Sequence, residues 1–158
     1  MLRPYNGYIA EATLKATVAK SIPNIQPQKL NVSGSKLLAS VINYAKSANN
    51  RHLTKKINYF LDNNSVDDII MADEILDYIL STDIIIKVNG ITIAIDLTLN
   101  TDSYKLGIKK AYHQSIYPYM RRLGVEKMIV LVWSNDIALT PQHLLALVNE
   151  NNFSSVTI

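Results

Sequence analysis

Residues 84–99 have the sequence Ile84-Ile-Ile-Lys-Val-Asn-Gly-Ile-Thr-Ile-Ala-Ile-Asp-Leu-Thr-Leu99 and carry the clearest structural signal in the chain. Two runs rich in β-branched residues, 84–88 and 91–99, flank the dipeptide Asn89-Gly90. β-Branched side chains favour strands, and an Asn-Gly pair favours a tight turn because both of its positions need positive φ. The stretch therefore predicts a β-hairpin with a two-residue turn.

The region before the hairpin is predicted to be mostly helical. Apolar residues recur there at helical spacing over residues 5–20, 33–62 and 65–76. The second helix is expected to fray at Asn49-Asn50, and the third has Ser65 as its cap, with Asp67 and Asp68 in its first turn. Residues 77–80 fit either a helix or a short strand. The proline-containing segment 21–28 is predicted to be a turn-rich connection.

Three further elements are predicted after the hairpin. Residues 103–123 fit a helix that Pro118 should kink. Its predicted buried stripe consists of Ile108, Ala111, Tyr112, Ser115, Ile116, Tyr119 and Leu123. The apolar run 127–133 fits a strand buried on both faces, Thr140-Pro141 opens a last helix, and residues 154–158 fit an edge strand. This order predicts an α/β protein with a mixed β-sheet flanked by helices.

Composition bounds the class of protein. The 158 residues are 48% hydrophobic, which suits a single domain, with a helical N-terminal part over residues 1–64 and an α/β core over residues 65–158. No apolar run approaches the roughly 20 residues that span a bilayer. The first residues also lack the apolar core of a secretory signal. We expect a soluble, cytoplasmic protein with no membrane partner.

The absence of cysteine restricts metal chemistry. Thiolate ligands are excluded, so a metal would need oxygen ligands or the histidines His52, His113 and His143. The formal net charge of +3 permits nucleic-acid binding.

A pair of aspartates is the first candidate site. A two-residue turn at Asn89-Gly90 places Asp83 directly opposite Asp96 on the neighbouring strand. Opposed residues have Cβ atoms about 4.5–5.5 Å apart, so the two acids should share a proton or hold a cation. Alternation along the second strand puts Asp96 on a face predicted to be open, away from the apolar face. Carboxylate oxygens suit Mg²⁺ or Mn²⁺.

The segment from Thr82 to Thr98 resembles the core motif of the PD-(D/E)xK nucleases, in which an Asp precedes a hairpin and an acid-x-Lys follows. This resemblance implies a restriction-endonuclease-like core with an N-terminal helical extension. It also implies magnesium-dependent hydrolysis of DNA, with Asp83 and Asp96 as metal ligands. Thr82 replaces the usual proline, and Thr98 replaces the catalytic lysine.

Two lysines are candidates for the missing cation. Lys105 and Lys109 begin the helix after the motif, whereas Lys87 lies near the turn, about 13 Å from Asp83. The resemblance further suggests a role for Gln114, which Tyr117 follows as in exonuclease-like members of the family.

The resemblance also implies a third acidic ligand from a preceding helix, for which Glu74 and Glu11 are the candidates. DNA contacts are expected from the basic residues Lys109, Lys110, Arg121 and Arg122, with Lys127, Lys55 and Lys56 nearby.

These features together predict a metal-dependent DNA endonuclease of a phage or mobile element. It would act as a homodimer, because double-strand cleavage needs two active sites. The alternative is a catalytically inactive nuclease-fold protein that binds nucleic acid or a protein partner.

Overall fold

A computed structural model describes residues 3–20, 24–64, 69–99, 102–133 and 139–157. Its five-stranded mixed sheet has the strand order β1-β2-β3-β4-β5. The strands are β1 Ile25–Gln28, β2 Ile84–Val88, β3 Ile91–Thr98, β4 Lys127–Val132 and β5 Ser155–Thr157. β1 pairs with β2 and β2 with β3 in antiparallel orientation, whereas β3 pairs with β4 and β4 with β5 in parallel orientation. The predicted α/β class with a mixed sheet is confirmed.

Six α-helices and a 3₁₀ turn accompany the sheet in the described residues. The helices are α1 Arg3–Ala19, α2 Gly34–Ser47, α3 Arg51–Asp62, α4 Ala72–Tyr78, α5 Ser103–Arg122 and α6 Pro141–Ala146. The 3₁₀ turn, Leu147–Asn149, follows α6 directly. No helix in the described residues is both long and apolar enough to cross a lipid bilayer.

The hairpin has the predicted register. Val88 pairs with Ile91, and Ile84 pairs with Ile95. Asn89 and Gly90 have φ angles of 49° and 81°, as a two-residue turn of this kind requires. The strand pairs end at Ile84 and Ile95, and the Asp83 N–H donates to the Ile95 carbonyl at 2.8 Å, which holds Asp83 against β3.

Helices cover both faces of the sheet, and each face has its own apolar cluster. Leu14 of α1 and Leu144 of α6 pack against one face, with Ile93 and Ile95. Helices α2 to α5 cover the other face, where Ala94 lies. The prediction that the face bearing Asp96 is open was therefore wrong, because Asp96 is only 6% exposed beneath these helices.

The N-terminal part is not wholly helical. The segment predicted to be a turn-rich connection contains β1, whose Ile25 is buried and pairs with Val88. Pro27 is compatible with this strand because β1 lies at the sheet edge, where one side needs no N–H donor.

The long helix predicted over residues 33–62 is two helices. Asn49 has a φ of 51° and separates α2 from α3. Asn50 then caps α3, since its side-chain oxygen accepts from the Leu53 N–H at 3.0 Å. Its amide group donates to the Ser115 carbonyl of α5 at 3.0 Å, which ties α3 to α5.

Residues 77–80 were predicted to be either helix or a short strand, and the first two of them belong to helix α4. Asp77 and Tyr78 are its last residues, and no strand forms there. The predicted cap Ser65 and the acids Asp67 and Asp68 lie outside the described residues.

Helix α5 buries part of the predicted stripe, namely Ile116 and Tyr119, with Tyr112 and Leu123 packed against the same cluster. Its buried residues are His113, Ile116, Tyr119 and Met120. Ile108, which was assigned to the buried stripe, is 54% exposed, and Ala111 is exposed as well. The helix continues through Pro118.

Candidate active site

Asp83 and Asp96 lie side by side at the end of the hairpin that is distant from its turn. Asp83 directly precedes β2, and its Oδ2 atom accepts the Leu97 N–H at 2.7 Å. Asp96 belongs to β3, whose neighbours β2 and β4 restrict solvent on either side. The strand register thus places two acids next to each other in a largely buried environment.

Helix α5 supplies a cation to Asp96. Lys109 Nζ donates to both carboxylate oxygens of Asp96, at 3.2 and 3.1 Å. Lys109 is the only one of the two candidate lysines that makes this contact among the described residues, since Lys105 is exposed one turn earlier. The structure therefore brings the motif acids together with one of the predicted replacement lysines.

His113 lies one helical turn after Lys109 and faces the same carboxylate. Its Nε2 is 3.3 Å from Oδ2 of Asp96, although the angle does not make a hydrogen bond. The ring is 1% exposed, and neither ring nitrogen has a hydrogen-bond partner within the described residues. His113 was not among the predicted site residues.

Two further acids extend the cluster beyond the hairpin. Asp77, at the end of α4, lies close enough to Asp83 for its charge to raise the pKa of that carboxyl group. Glu11 of α1 acts electrostatically on both Asp77 and Asp83 and accepts from Lys15 Nζ at 2.8 Å. Glu11 was one of the two predicted helix-borne acids, and Asp77 was not foreseen.

Burial and neighbouring negative charge alter the acidity of Asp83. Desolvation raises its pKa to about 7, and the charges of Asp96, Asp77 and Glu11 act in the same direction. The hydrogen bond from the Leu97 N–H opposes them. Asp83 can therefore hold its proton up to near neutral pH, because burial and like charges both disfavour the ionised form.

The pKa of Asp77 is also raised. Burial is the main cause, followed by the charge of Glu11.

The donor set fits a hard divalent cation. All of its members are carboxylates, whose negative charges repel one another. A bound divalent cation would reduce this repulsion, and carboxylate oxygens are ligands that such cations prefer. In the described part of the chain, no three Asp, Glu or His side chains already surround one cation position. Lys109 instead compensates Asp96 in this structure.

Other predicted residues lie elsewhere. Glu74 lines a depression with Tyr59, Phe60 and Tyr78, on the side of α4 that faces α3. Gln114 is exposed on α5.

Thr98 is half-buried at the end of β3, two residues beyond Asp96 and on the same face. It pairs with Val132 of β4.

The predicted basic residues are dispersed along α5. Arg121 and Arg122 are about 18–20 Å from Lys109 along the helix axis at ~1.5 Å per residue. Arg122 lies over the ring of Tyr44, 5.1 Å from its centroid. Lys110 is half-buried beside Lys109. Arg121 and Arg122 therefore do not contribute positive charge next to the acids.

Lys127 has a structural role. Its Nζ donates to the carbonyl groups of Val148 and Glu150 in the C-terminal segment.

A groove between α3 and α5 borders the acids at Lys109. We call it the α3–α5 groove; its cavity has a volume of about 570 Å³. It is lined by His52, Lys55, Lys56, Tyr59, Ser81, Ile108, Lys109, Ala111 and Tyr112. Lys55 and Lys56 were predicted to lie near the site. The packing of α3 against α5 could not be predicted from local spacing.

The site therefore combines four acids, one paired lysine and an adjoining basic groove. Comparison of the chain with protein-family models, curated proteins and solved structures finds no match.

Proposed function

We propose that this chain is a metal-dependent nuclease that hydrolyses phosphodiester bonds in DNA. The observation that carries the proposal is the contact of Lys109 with Asp96, made next to Asp83. Two opposed acids and a lysine are the groups that the PD-(D/E)xK resemblance calls for. Here the lysine comes from a helix, one element later than the motif position Thr98.

The order of the elements supports a restriction-endonuclease-like core. An antiparallel hairpin is followed by α5 and then by β4, which is parallel to β3. This is the order expected from the resemblance, and both acids lie at the hairpin end where that motif has them.

Asp83 and Asp96 would hold Mg²⁺ or Mn²⁺, with Asp77 and Glu11 close enough to contribute charge. Such an ion lowers the pKa of bound water and neutralises charge on the phosphoryl group.

The chain's own residues would prepare the phosphate for attack. Lys109 carries a positive charge that can donate to a phosphate oxygen or orient water beside Asp96. Thr98 can add a hydroxyl donor but no charge. The pKa of Asp83 is raised to about 7, so a cation bound there would displace a proton that the carboxyl group otherwise holds near neutral pH.

Plasmid nicking tests this proposal. The wild-type protein should nick supercoiled plasmid or branched DNA when Mg²⁺ or Mn²⁺ is present. Asp83→Asn and Asp96→Asn should each lose about 100-fold or more of this activity, as removal of a charge-stabilising group typically does. Lys109→Met should lose about 100-fold for the same reason.

Two further lysine variants make the assay specific. Lys105→Met should retain activity if Lys109 is the functional lysine. Lys46→Met controls for the loss of one surface charge, because Lys46 is exposed on α2. Metal-dependent nicking that survives the Asp83→Asn/Asp96→Asn double substitution would contradict the proposal.

A non-catalytic nucleic-acid-binding protein with the same fold is the second candidate function. It is favoured by Thr98 at the expected lysine position and by the pairing of Lys109 with both oxygens of Asp96. Salt-sensitive DNA binding by a wild-type protein that leaves plasmid intact in both metals would support this candidate.

The nuclease proposal includes a homodimer, because cutting both strands of a duplex needs two sites. Sedimentation velocity of the protein alone and with a short duplex distinguishes a dimer from a monomer.

A further inference from the structure

The α3–α5 groove combines positive charge with exposed apolar surface. Lys55 and Lys56 project from α3, and Lys109 from α5. Between them lie Tyr59, which is 71% exposed, and Ile108, which is 54% exposed. Lysines recognise phosphates, whereas large exposed apolar side chains need an apolar or aromatic partner.

Helix α3 is held against α5 at the start of the groove. Asn50 caps α3 and also donates to the Ser115 carbonyl on α5. Lys56 Nζ lies 5.1 Å from the centroid of the Tyr112 ring, a cation–π contact across the groove. The two walls therefore keep their spacing without a ligand.

We propose that the α3–α5 groove binds an unpaired DNA strand and leads it to the carboxylate cluster. A duplex conceals its base faces in the stack and presents phosphates outward, so it could use the lysines but not the apolar floor. An unpaired strand offers both phosphates and base faces. Its bases can stack on Tyr59 while its phosphates contact Lys55 and Lys56.

Lys109 connects the groove to the acids. It lines the groove and also donates to Asp96. A strand bound in the groove would thus bring a phosphate beside the cluster. The preferred substrate is accordingly DNA with a single-stranded part, such as an overhang or a branch. This step rests on the proposed nuclease function, whereas binding of the strand does not.

Fluorescence anisotropy in EDTA tests binding separately from cleavage. Labelled oligonucleotides of one sequence would be compared as a single strand, a blunt duplex and a duplex with an overhang. The single strand and the overhang should bind at least about tenfold more tightly than the blunt duplex, as expected when base stacking adds to phosphate contacts.

Variants identify the groove as the binding surface. Tyr59→Ala should weaken binding of the single strand about tenfold or more, because stacking on one aromatic ring is lost. Tyr104→Ala is the matched control, since Tyr104 is 76% exposed and is not among the residues that line the groove.

The lysine pair has its own control. Lys55→Gln/Lys56→Gln should lower the slope of log affinity against log salt by about 1.4, that is about 0.7 for each lost phosphate contact. Lys36→Gln/Lys46→Gln on α2 removes the same charge and should leave the slope unchanged.

Equal affinity for the single strand and the blunt duplex, or wild-type binding by both groove variants, would overturn the inference. Groove-dependent binding of single strands without cleavage in any metal would support the inference and contradict the proposed nuclease. Cleavage that is unaffected by the groove variants would support the proposed nuclease and contradict the inference about the groove.

Discussion

Asp83 is a half-buried carboxyl group whose neighbours are also acids. Burial, Asp96, Asp77 and Glu11 all raise its pKa, which reaches about 7. Asp96 differs because Lys109 donates to both of its oxygens. The two adjacent carboxyl groups thus have different environments, one surrounded by acids and the other in contact with a lysine.

The raised pKa of Asp83 predicts a pH-dependent stability. The unfolded chain releases this proton near pH 3.8, whereas the folded chain retains it up to about pH 7. The folded state therefore binds more protons between these values, so its stability falls as pH rises through this window and stays low above it. Asp83→Asn removes the ionisation and keeps an acceptor for the Leu97 N–H.

Thermal unfolding in EDTA between about pH 5 and about pH 8 checks this prediction, because this range spans the upper part of the window and the plateau above it. The melting temperature of Asp83→Asn should increase relative to wild type as pH rises. Asp62→Asn, at an exposed position on α3, should show no such trend. A constant difference between Asp83→Asn and wild type across the range would refute the assignment.

The sequence could predict part of this site because hairpin register is local. The turn at Asn89-Gly90 fixes the register as far as the pair of Ile84 with Ile95, which brings the neighbouring Asp83 and Asp96 to the same end of the hairpin. Choosing between Lys105 and Lys109 needed the orientation of α5, because residues one turn apart share a helix face. Asp77 could not be found from spacing, since its position depends on how α4 packs beside the hairpin.

At the scale of elements, local signals succeeded where an element forms its own contacts. The hairpin and β4 have strong apolar runs and were predicted correctly. Strand β1 has only four residues, one of them Pro27, and it forms because the edge of β2 is available. Such an element depends on its tertiary partner, so its sequence resembles a connection.

The start of the predicted α5 stripe was wrong for a related reason, whereas Ile116 and Tyr119 are buried as predicted. Ile108 is apolar, but it faces the α3–α5 groove, while the polar His113 is buried against Asp96. A helix that packs against a buried acid and lines a groove can bury a polar residue and expose an apolar one, which a hydrophobic period cannot reveal.

Gly34 makes a testable contact at the start of α2. A Cβ atom added there would lie 1.9 Å from the Ile70 carbonyl oxygen and 2.6 Å from its carbon. Gly34→Ala should therefore destabilise the protein by about 1–3 kcal/mol or more, because the backbone of a neighbouring segment must move. Urea denaturation measures this change.

Gly107 provides the opposite case in the same experiment. It lies within α5, and an added Cβ would meet no atom within 4 Å. Gly107→Ala should stabilise the protein by about 0.5–1 kcal/mol through the lower backbone entropy of the unfolded chain. Equal changes in the free energy of unfolding for the two substitutions would contradict the close contact between the Ile70 backbone and Gly34 of α2.

At the scale of the whole molecule, the acids lie where several layers meet. Asp83 and Asp96 come from the sheet, Asp77 and Lys109 from the helices on one face, and Glu11 from α1 on the other. Which helices cover which face follows from the complete packing arrangement. No local pattern in the sequence specifies it, so the full cluster required the structure.

If the proposed site binds a divalent cation, its binding should stabilise the folded protein, because acids from separate layers would share one cation. Adding about 10 mM Mg²⁺ at pH 8 should raise the melting temperature of the wild-type protein, since a ligand that binds only the folded state stabilises it. The Asp83→Asn/Asp96→Asn variant should show no increase. NaCl at matched ionic strength is the control, and an equal increase in both proteins would exclude a shared site.

The two edges of the described sheet bear on self-association. One edge is the four-residue β1 with its proline, and the other is the three-residue β5. Short edges and a missing N–H donor give a second copy little backbone to pair with. The described edges of the sheet are therefore poor templates for edge-to-edge pairing with a second copy.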